Sequence, residues 1–186
     1  MTSLAVERLN ASLRATLLAH LLALPMRDRS LRFGTALAPT VIAAYVDGID
    51  FDRDAVFVVH DEQVVPVGAA HIAFADDLAE LAFSVLPTHR CLGVGSALFK
   101  RALAHARSRR APRLYMQYLA ANAPVMRIAQ KFGMYVVVGA GDATAYLSLH
   151  LPGSPASPSR PTSLQRLVPP EQAGHRRDAD RRATPC

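Results

Sequence analysis

Apolar side chains change their period several times along the chain, and each change marks a predicted element. From Asn10 to Leu24, Leu13, Leu17, Leu18, Leu21, Leu22 and Leu24 recur every three or four residues until Pro25 stops them, which predicts a helix. Pro39 to Val46 predicts a second helix, closed by Asp47-Gly48. The period then shortens: Ala55–His60 and Val64–Ile72 are β-rich runs parted by Asp61-Glu62-Gln63, which predicts a hairpin. Asp76-Asp77 turns the chain into a strand from Leu78 to Leu86, with Leu81, Phe83 and Val85 on one face and Glu80 and Ser84 on the other. Leu98, Phe99, Ala102, Leu103 and Ala106 form a helical stripe opposite Lys100, Arg101, His105 and Arg107, as expected of a helix laid on a sheet. A strand over Arg113–Leu119, a helix over Ala123–Phe132 and strands around Tyr135–Val138 and Thr144–Leu149 complete the pattern. The count is about seven strands and about four helices in an α/β domain.

Length allows one such domain, since 186 residues with 51% apolar content build one ordinary core and hardly two. Residues 1–29 are expected to be a helical N-terminal segment of that domain, 30–150 its body, and 151–186 a disordered tail. The tail is rich in Pro and Arg and lacks the apolar periodicity needed to offset the entropy of ordering. It carries half of the net charge of +6, six Arg against Glu171, Asp178 and Asp180. The other half suits a protein that receives a polyanion and equally a bland soluble domain. Aromatic residues for base stacking are absent from the tail, which argues against nucleic acid. Two cysteines, Cys91 and Cys186, make no disulfide framework, and the apolar run Leu17–Leu24 is too short to span a bilayer, so a cytoplasmic protein without a membrane partner is expected.

The candidate chemistry lies in Arg90-Cys91-Leu92-Gly93-Val94-Gly95-Ser96, a tight turn between a strand and a helix. The first turn of a helix has N–H groups without partners and a partial positive charge, so it can hold an anion. Gly93 and Gly95 lack Cβ atoms and let a phosphate approach, and Arg90 can add a charged donor. The spacing excludes a P-loop, which needs four residues between its Gly and a Gly-Lys pair where only Val94 stands here. A dinucleotide fold fits poorly as well, because Leu98 stands where a third Gly belongs and Tyr115–Leu119 offers no acid.

The remaining pattern, Arg-x-x-Gly-x-Gly after a strand ending in Val, resembles the cofactor motif of the GNAT superfamily of acyl-CoA N-acyltransferases. Asn122, Lys131, Gly133 and Met134 match that family's Asn-x8-Lys-x-Gly-Phe segment, with Met in place of Phe. The resemblance covers Ala79 to Met134 strongly and about Ser30 to Leu149 loosely. It implies a mixed, mostly antiparallel twisted sheet flanked by helices, acetyl-CoA as co-substrate and no metal. By the same resemblance the diphosphate sits on the amides of Leu92, Gly93, Val94, Gly95 and Ser96, the pantetheine arm pairs with the backbone of Phe83 and Val85, and the Asn122 side chain steadies it. Cys91 stands where relatives have Gly, so the turn is expected to be made chiefly by Gly93 and Gly95.

The implied reaction is attack of an amine, from a small molecule or a protein, on the thioester. A lysine amine is neutral in only about one molecule in 2,500 at pH 7, so a base or a water relay to one is needed. Glu80, on the strand beside the thioester site, is the first candidate base, and a solvated or salt-bridged strand Glu is its structural reading. His71 is a second candidate, as base or acceptor ligand. Many relatives carry a Tyr seven residues after the Asn as general acid, and this chain has Ala129 there; Tyr118 is the substitute on a neighbouring strand. Asp28-Arg29-Ser30-Leu31-Arg32-Phe33 is similar to the opening of the acetyltransferase domain of bacterial protein-lysine acetyltransferases, which puts Arg32 and Phe33 beside the acceptor. A homodimer is compatible with the resemblance. A module of the same fold that holds acyl-CoA without turning it over is the competing reading, kept open by Ala129.

Overall fold

A computed structural model describes residues 4–75 and 78–149. The expected turn at Asp76-Asp77 and the expected tail over 151–186 lie outside the described residues. Seven strands run β1 (Glu7–Leu9), β2 (Ala55–His60), β3 (Pro66–Ala75), β4 (Leu78–Val85), β5 (Arg113–Leu119), β6 (Tyr135–Val138) and β7 (Asp142–Ser148), and five α-helices run α1 (Arg14–Ala23), α2 (Met26–Phe33), α3 (Pro39–Asp47), α4 (Val94–Ser108) and α5 (Ala123–Lys131). The sheet order is β1-β2-β3-β4-β5-β7-β6. Every neighbouring pair is antiparallel except β4 with β5.

Two apolar layers sandwich this sheet. On one face Phe57, Ile72, Leu81, Phe83, Leu114 and Met116 pack under Leu98, Phe99, Ala102 and Ala106 of α4, the stripe expected from the sequence. On the other, Val56, Val58 and Ala69 pack under Leu17 and Leu21 of α1 and Ile42 and Val46 of α3. Strand β2 is buried on both faces, which explains its unbroken apolar run where a half-exposed strand would alternate. Phe99 stacks on Phe132 with ring centres 4.4 Å apart, pinning α4 beside α5, a contact worth about 1 kcal/mol beyond its buried area.

Two elements differ from expectation. The segment 1–29, expected to be helical, holds β1, and the division at residue 29 falls inside α2. Helix α2 lacks an apolar stripe: Asp28 and Phe33 are its buried residues, so tertiary contacts rather than periodicity order it. Its ends carry ordinary helix punctuation: Pro25 precedes it and Gly34, at φ 82°, donates its N–H to Ser30 O in a left-handed cap. The hairpin turn is also longer than the expected three residues. Asp61 Oδ1 accepts from Gln63 N and Val65 N, Val64 is 75% exposed at φ 62°, and β3 starts only at Pro66.

Candidate active site

The parallel ladder between β4 and β5 is short, ending at Glu80 opposite Tyr115. Beyond that pair the two strands part, leaving Leu81–Val85 hydrogen-bonded to β3 alone among the described strands. A groove of about 430 Å³ opens there, within the range of small-molecule sites. Its walls are Leu24, Asp28, Leu31 and Arg32 from the α1–α2 side, Phe83, Ser84 and Val85 of β4, His89–Cys91 and Gly93–Ser96 of the next loop and helix start, and Asn122 with Val125, Ile128 and Lys131 of α5.

A loop with a positive-φ kink feeds α4 into this groove. Cys91 takes φ 61° and Gly93 φ 87°, so these two make the turn; Gly95 sits inside the first helical turn instead. The expected pairing of Gly93 with Gly95 is thereby corrected, and the reason for Gly95 is space, since a Cβ there would lie 2.8 Å from Ile128 Cδ1 and 3.6 Å from the Phe83 ring. Helix α4 has no side-chain cap at Gly93 and no acid in its first turn, and its first intrahelical donor is Ala97 N to Gly93 O. The amides of Val94, Gly95 and Ser96 therefore face the groove's end without helix partners, as an anion cradle requires. Lys131 Nζ stands 3.3 Å from Ser96 Oγ and adds a cation at that end.

The sequence candidates fall into three places. Phe83, Val85, Arg90, Leu92 to Ser96 and Asn122 all come to the groove or its loop. Arg90 Nη2, however, lies 2.7 Å from Asp28 Oδ2, so its guanidinium is held by α2 across the groove. Asn122 caps α5, accepting from Val125 N at 3.4 Å while its amide donates to Leu31 O at 3.4 Å, which ties α5 to α2. Glu80 and His71 are buried deeper, on the α2–α3 face of the sheet, Glu80 at the vertex where β4 and β5 part. Arg32 lines the groove with its guanidinium over the Phe33 ring at 4.7 Å, whereas Phe33 is wholly buried. Tyr118 lies on the opposite face, in the same core as Ala129, and its hydroxyl is buried without a hydrogen-bond partner among the described residues.

A buried polar chain runs behind Arg32. Arg32 Nη2 donates to Tyr45 Oη at 2.9 Å, and Tyr45 Oη lies 2.7 Å from His71 Nδ1. Burial holds the His71 ring below its ordinary pKa and the Tyr45 phenol above its own, so both are neutral at pH 7. Tyr45 then donates to Nδ1, and Nε2 carries the proton facing Asp54 Oδ2 at 3.5 Å, long for a hydrogen bond. Burial alone would raise Asp54, yet it sits at about 2, because the facing His71 ring and hydrogen bonds from Arg53 Nε at 3.0 Å and from Phe74 N outweigh it. Given the long His71 contact, the Arg53 and Phe74 donors are the firmer part of that balance.

The sequence profile described as the Acetyltransferase (GNAT) family matches residues 20–134, well over half of the chain. The protein belongs to that family. No curated protein matches the chain by sequence. Among solved structures, it is similar to the GNAT domain of S. lividans PAT, with a TM-score of 0.66 at 18% identity over 77% of this chain and 89% of that one. The yncA protein of Salmonella typhimurium, solved with its cofactor acetyl-CoA, gives a TM-score of 0.62 at 16% identity, covering 84% of this chain and 99% of that one. The ribosomal-protein-alanine N-acetyltransferase of Brucella melitensis gives 0.60 at 17% identity, covering 78% and 99%. At such identities the likeness carries the fold alone.

The GNAT fold is one that binds acyl-CoA and transfers its acyl group, and the uncapped start of α4 fits the diphosphate of such a ligand in charge and in access. Among the described residues no cluster of three or more His, Cys, Asp or Glu could hold a metal, and no helix is long and apolar enough to cross a membrane. Three groove residues escaped the sequence reading: Asp28, Lys131 as a side chain on the cradle, and Ser84. Asp28 was named only as the first residue of the stretch to Phe33, and nothing there pointed to its salt bridge with Arg90, which spans 62 positions. Ser84 and His20 could have been suspected only as polar residues on otherwise apolar faces.

Proposed function

We propose that this GNAT protein is an N-acetyltransferase that moves an acetyl group directly from acetyl-CoA to a primary amine of a small molecule or protein. The observation that carries the reading is the uncapped first turn of α4, set at the end of a groove that runs along Phe83–Val85, the stretch of β4 beyond its pairing with β5. An acyl-CoA laid there has its diphosphate on the Val94–Ser96 amides and its amide arm along the open edge of Phe83 to Val85, added like a strand. Its thioester then falls at the Phe83 end of that edge, beside Ser84, with Glu80 three residues back along β4 at the point where β4 and β5 part. The amine nitrogen attacks the carbonyl carbon, a C–N bond forms as the C–S bond breaks, and the amine's surplus proton ends on the CoA sulfur after passing through base and solvent. Glu80 is the proposed base, through water, since it lies behind the groove wall rather than in it. Phe83, Val85, Arg90, Leu92, Gly93, Val94, Gly95, Ser96 and Asn122 are assigned to the donor. Arg32 and His71 are assigned to the acceptor side, Phe33 only as the ring beneath Arg32. A free, exposed thiol at Cys91 favours a reducing compartment, the cytoplasm.

Ala129, wholly buried and without a proton to give, favours the second reading, a module that holds acyl-CoA without turnover. Thiol release from saturating acetyl-CoA with a panel of amines decides between them. Release above the rate without amine supports transfer, whereas calorimetric binding with no release for any amine supports the module.

A further inference from the structure

His20 on α1 has no exposed surface at all, yet both its ring nitrogens are engaged. Nδ1 lies 2.9 Å from Pro66 O and Nε2 lies 2.9 Å from Ser84 Oγ. A peptide carbonyl only accepts, so Nδ1 carries the proton. In a neutral ring Nε2 then has only a lone pair, and the Ser84 hydroxyl must donate to it. Burial keeps the ring neutral, holding its pKa at about 4 against the ordinary 6.5. With its hydrogen committed, Ser84 Oγ has lone pairs alone to offer to anything else. Ser84 lines the groove on the face of β4 that looks toward α1 and α2, the face that also carries Glu80.

We infer that Ser84, oriented by His20, is a hydrogen-bond acceptor for the attacking amine: it receives one N–H of the neutral amine and so aims the nitrogen lone pair at the thioester carbonyl. The inference rests on the transfer reading above and deepens it by naming the group that selects and positions the acceptor. His20 is a positioning residue, buried behind the hydroxyl and out of reach of the groove. Its neutral ring takes no proton during the reaction; it fixes the direction of the Ser84 hydroxyl. An oxygen that can only accept favours acceptors with N–H groups, primary and secondary amines, and gives nothing to a tertiary amine. A serine donating into the groove would make the opposite choice and hold a carbonyl or carboxylate. The Pro66 carbonyl is what decides between the two, because it fixes the imidazole tautomer.

The test uses the full chain, acetyl-CoA and three probes, n-butylamine, N-acetyl-lysine methylamide and a pentapeptide with a free N-terminal Ala. Ser84→Ala is expected to raise KM or lower kcat for each amine that the native protein turns over, by about tenfold in kcat/KM, the worth of one hydrogen bond in a water-poor site. Its calorimetric Kd for acetyl-CoA is expected to stay within about twofold, and Ser84→Thr, which keeps the hydroxyl, to recover most of the loss. The pH profile of kcat/KM is expected to keep its shape in both variants, since no proton passes through the pair. Nitrogen-15 spectra of the native histidines at pH 7 should show His20 Nδ1 protonated and Nε2 bare. Unchanged amine kinetics in Ser84→Ala, or a protonated Nε2, overturns the inference. A loss of acetyl-CoA binding in Ser84→Ala overturns it too, by assigning Ser84 to the donor. If the native protein binds acetyl-CoA and turns over none of the probes, the transfer reading itself fails and this inference falls with it.

Discussion

Gly93 offers a clean separation of charge from shape. It has φ 87°, and a side chain there meets open space, the nearest atom to a built Cβ being Leu4 Cδ1 at 3.9 Å. Asn and Asp are the side chains that best tolerate this left-handed backbone, so either substitution costs about 1 kcal/mol of stability, a fall in Tm of about 2–4 °C. They have nearly the same shape and differ by one negative charge at the mouth of the Val94–Ser96 amides. Two unit charges about 4 Å apart repel by about 1 kcal/mol in water and about 4 at the effective dielectric of a protein surface. Gly93 is exposed, so the lower part of that range applies, about 1–3 kcal/mol, or about 5- to 150-fold in Kd. Gly93→Asp should therefore bind acetyl-CoA that much more weakly than Gly93→Asn in titration calorimetry, with matching thermal unfolding curves. Raising the salt should narrow the gap as the charges are screened. Equal Kd values for the two variants would refute the placement of a diphosphate at this turn.

His20 makes stability depend on pH with a definite sign. Its folded pKa, about 4, lies below the unfolded value of 6.5, so the unfolded chain takes up a proton first as pH falls; stability is full above 6.5, is lost down to about 4, and changes no further below, by about 3 kcal/mol in all. Urea unfolding at pH 7 and 4.5 should show that loss, reduced in His20→Gln, and an equal loss in the variant would assign it elsewhere. Asp28→Asn releases Arg90 from its 2.7 Å ion pair and removes a carboxylate from the groove, so acetyl-CoA should bind about two- to fivefold more tightly; weaker binding in calorimetry would mean that Arg90 serves the ligand best where Asp28 holds it. Tyr118→Phe removes a buried hydroxyl that has no partner among the described residues, so stability should hold or rise by up to about 1 kcal/mol, and a larger loss in urea unfolding would reveal a partner in solution.

Period and punctuation made most of the sheet legible. The alternation of Leu81, Phe83 and Val85, the stripe of Leu98, Phe99, Ala102 and Ala106, and the glycines after Arg90 are local patterns, and local backbone geometry turns them into a strand, a turn and a helix without help from distant residues. That is why the loop before α4 was visible as a motif. Helix α2 and β1 were not, because Met26–Phe33 has no apolar stripe and Glu7–Leu9 is three residues long; each is held by neighbours far away in the chain.

The polar side chains around the groove show the same divide more sharply. Which strand carries Glu80 and Ser84, and that they share a face, follows from a period of two. That Arg90 is held by Asp28, that Phe33 lies under Arg32 rather than in the groove, that Tyr118 is across the sheet from His71, and that His20 faces Ser84 follow from packing alone. Sequence determined most of the elements and the glycine turn before α4, since those depend on neighbours within a few positions. The direction of each polar side chain, and so what each wall of the groove presents, was decided only when burial forced distant donors and acceptors to find one another.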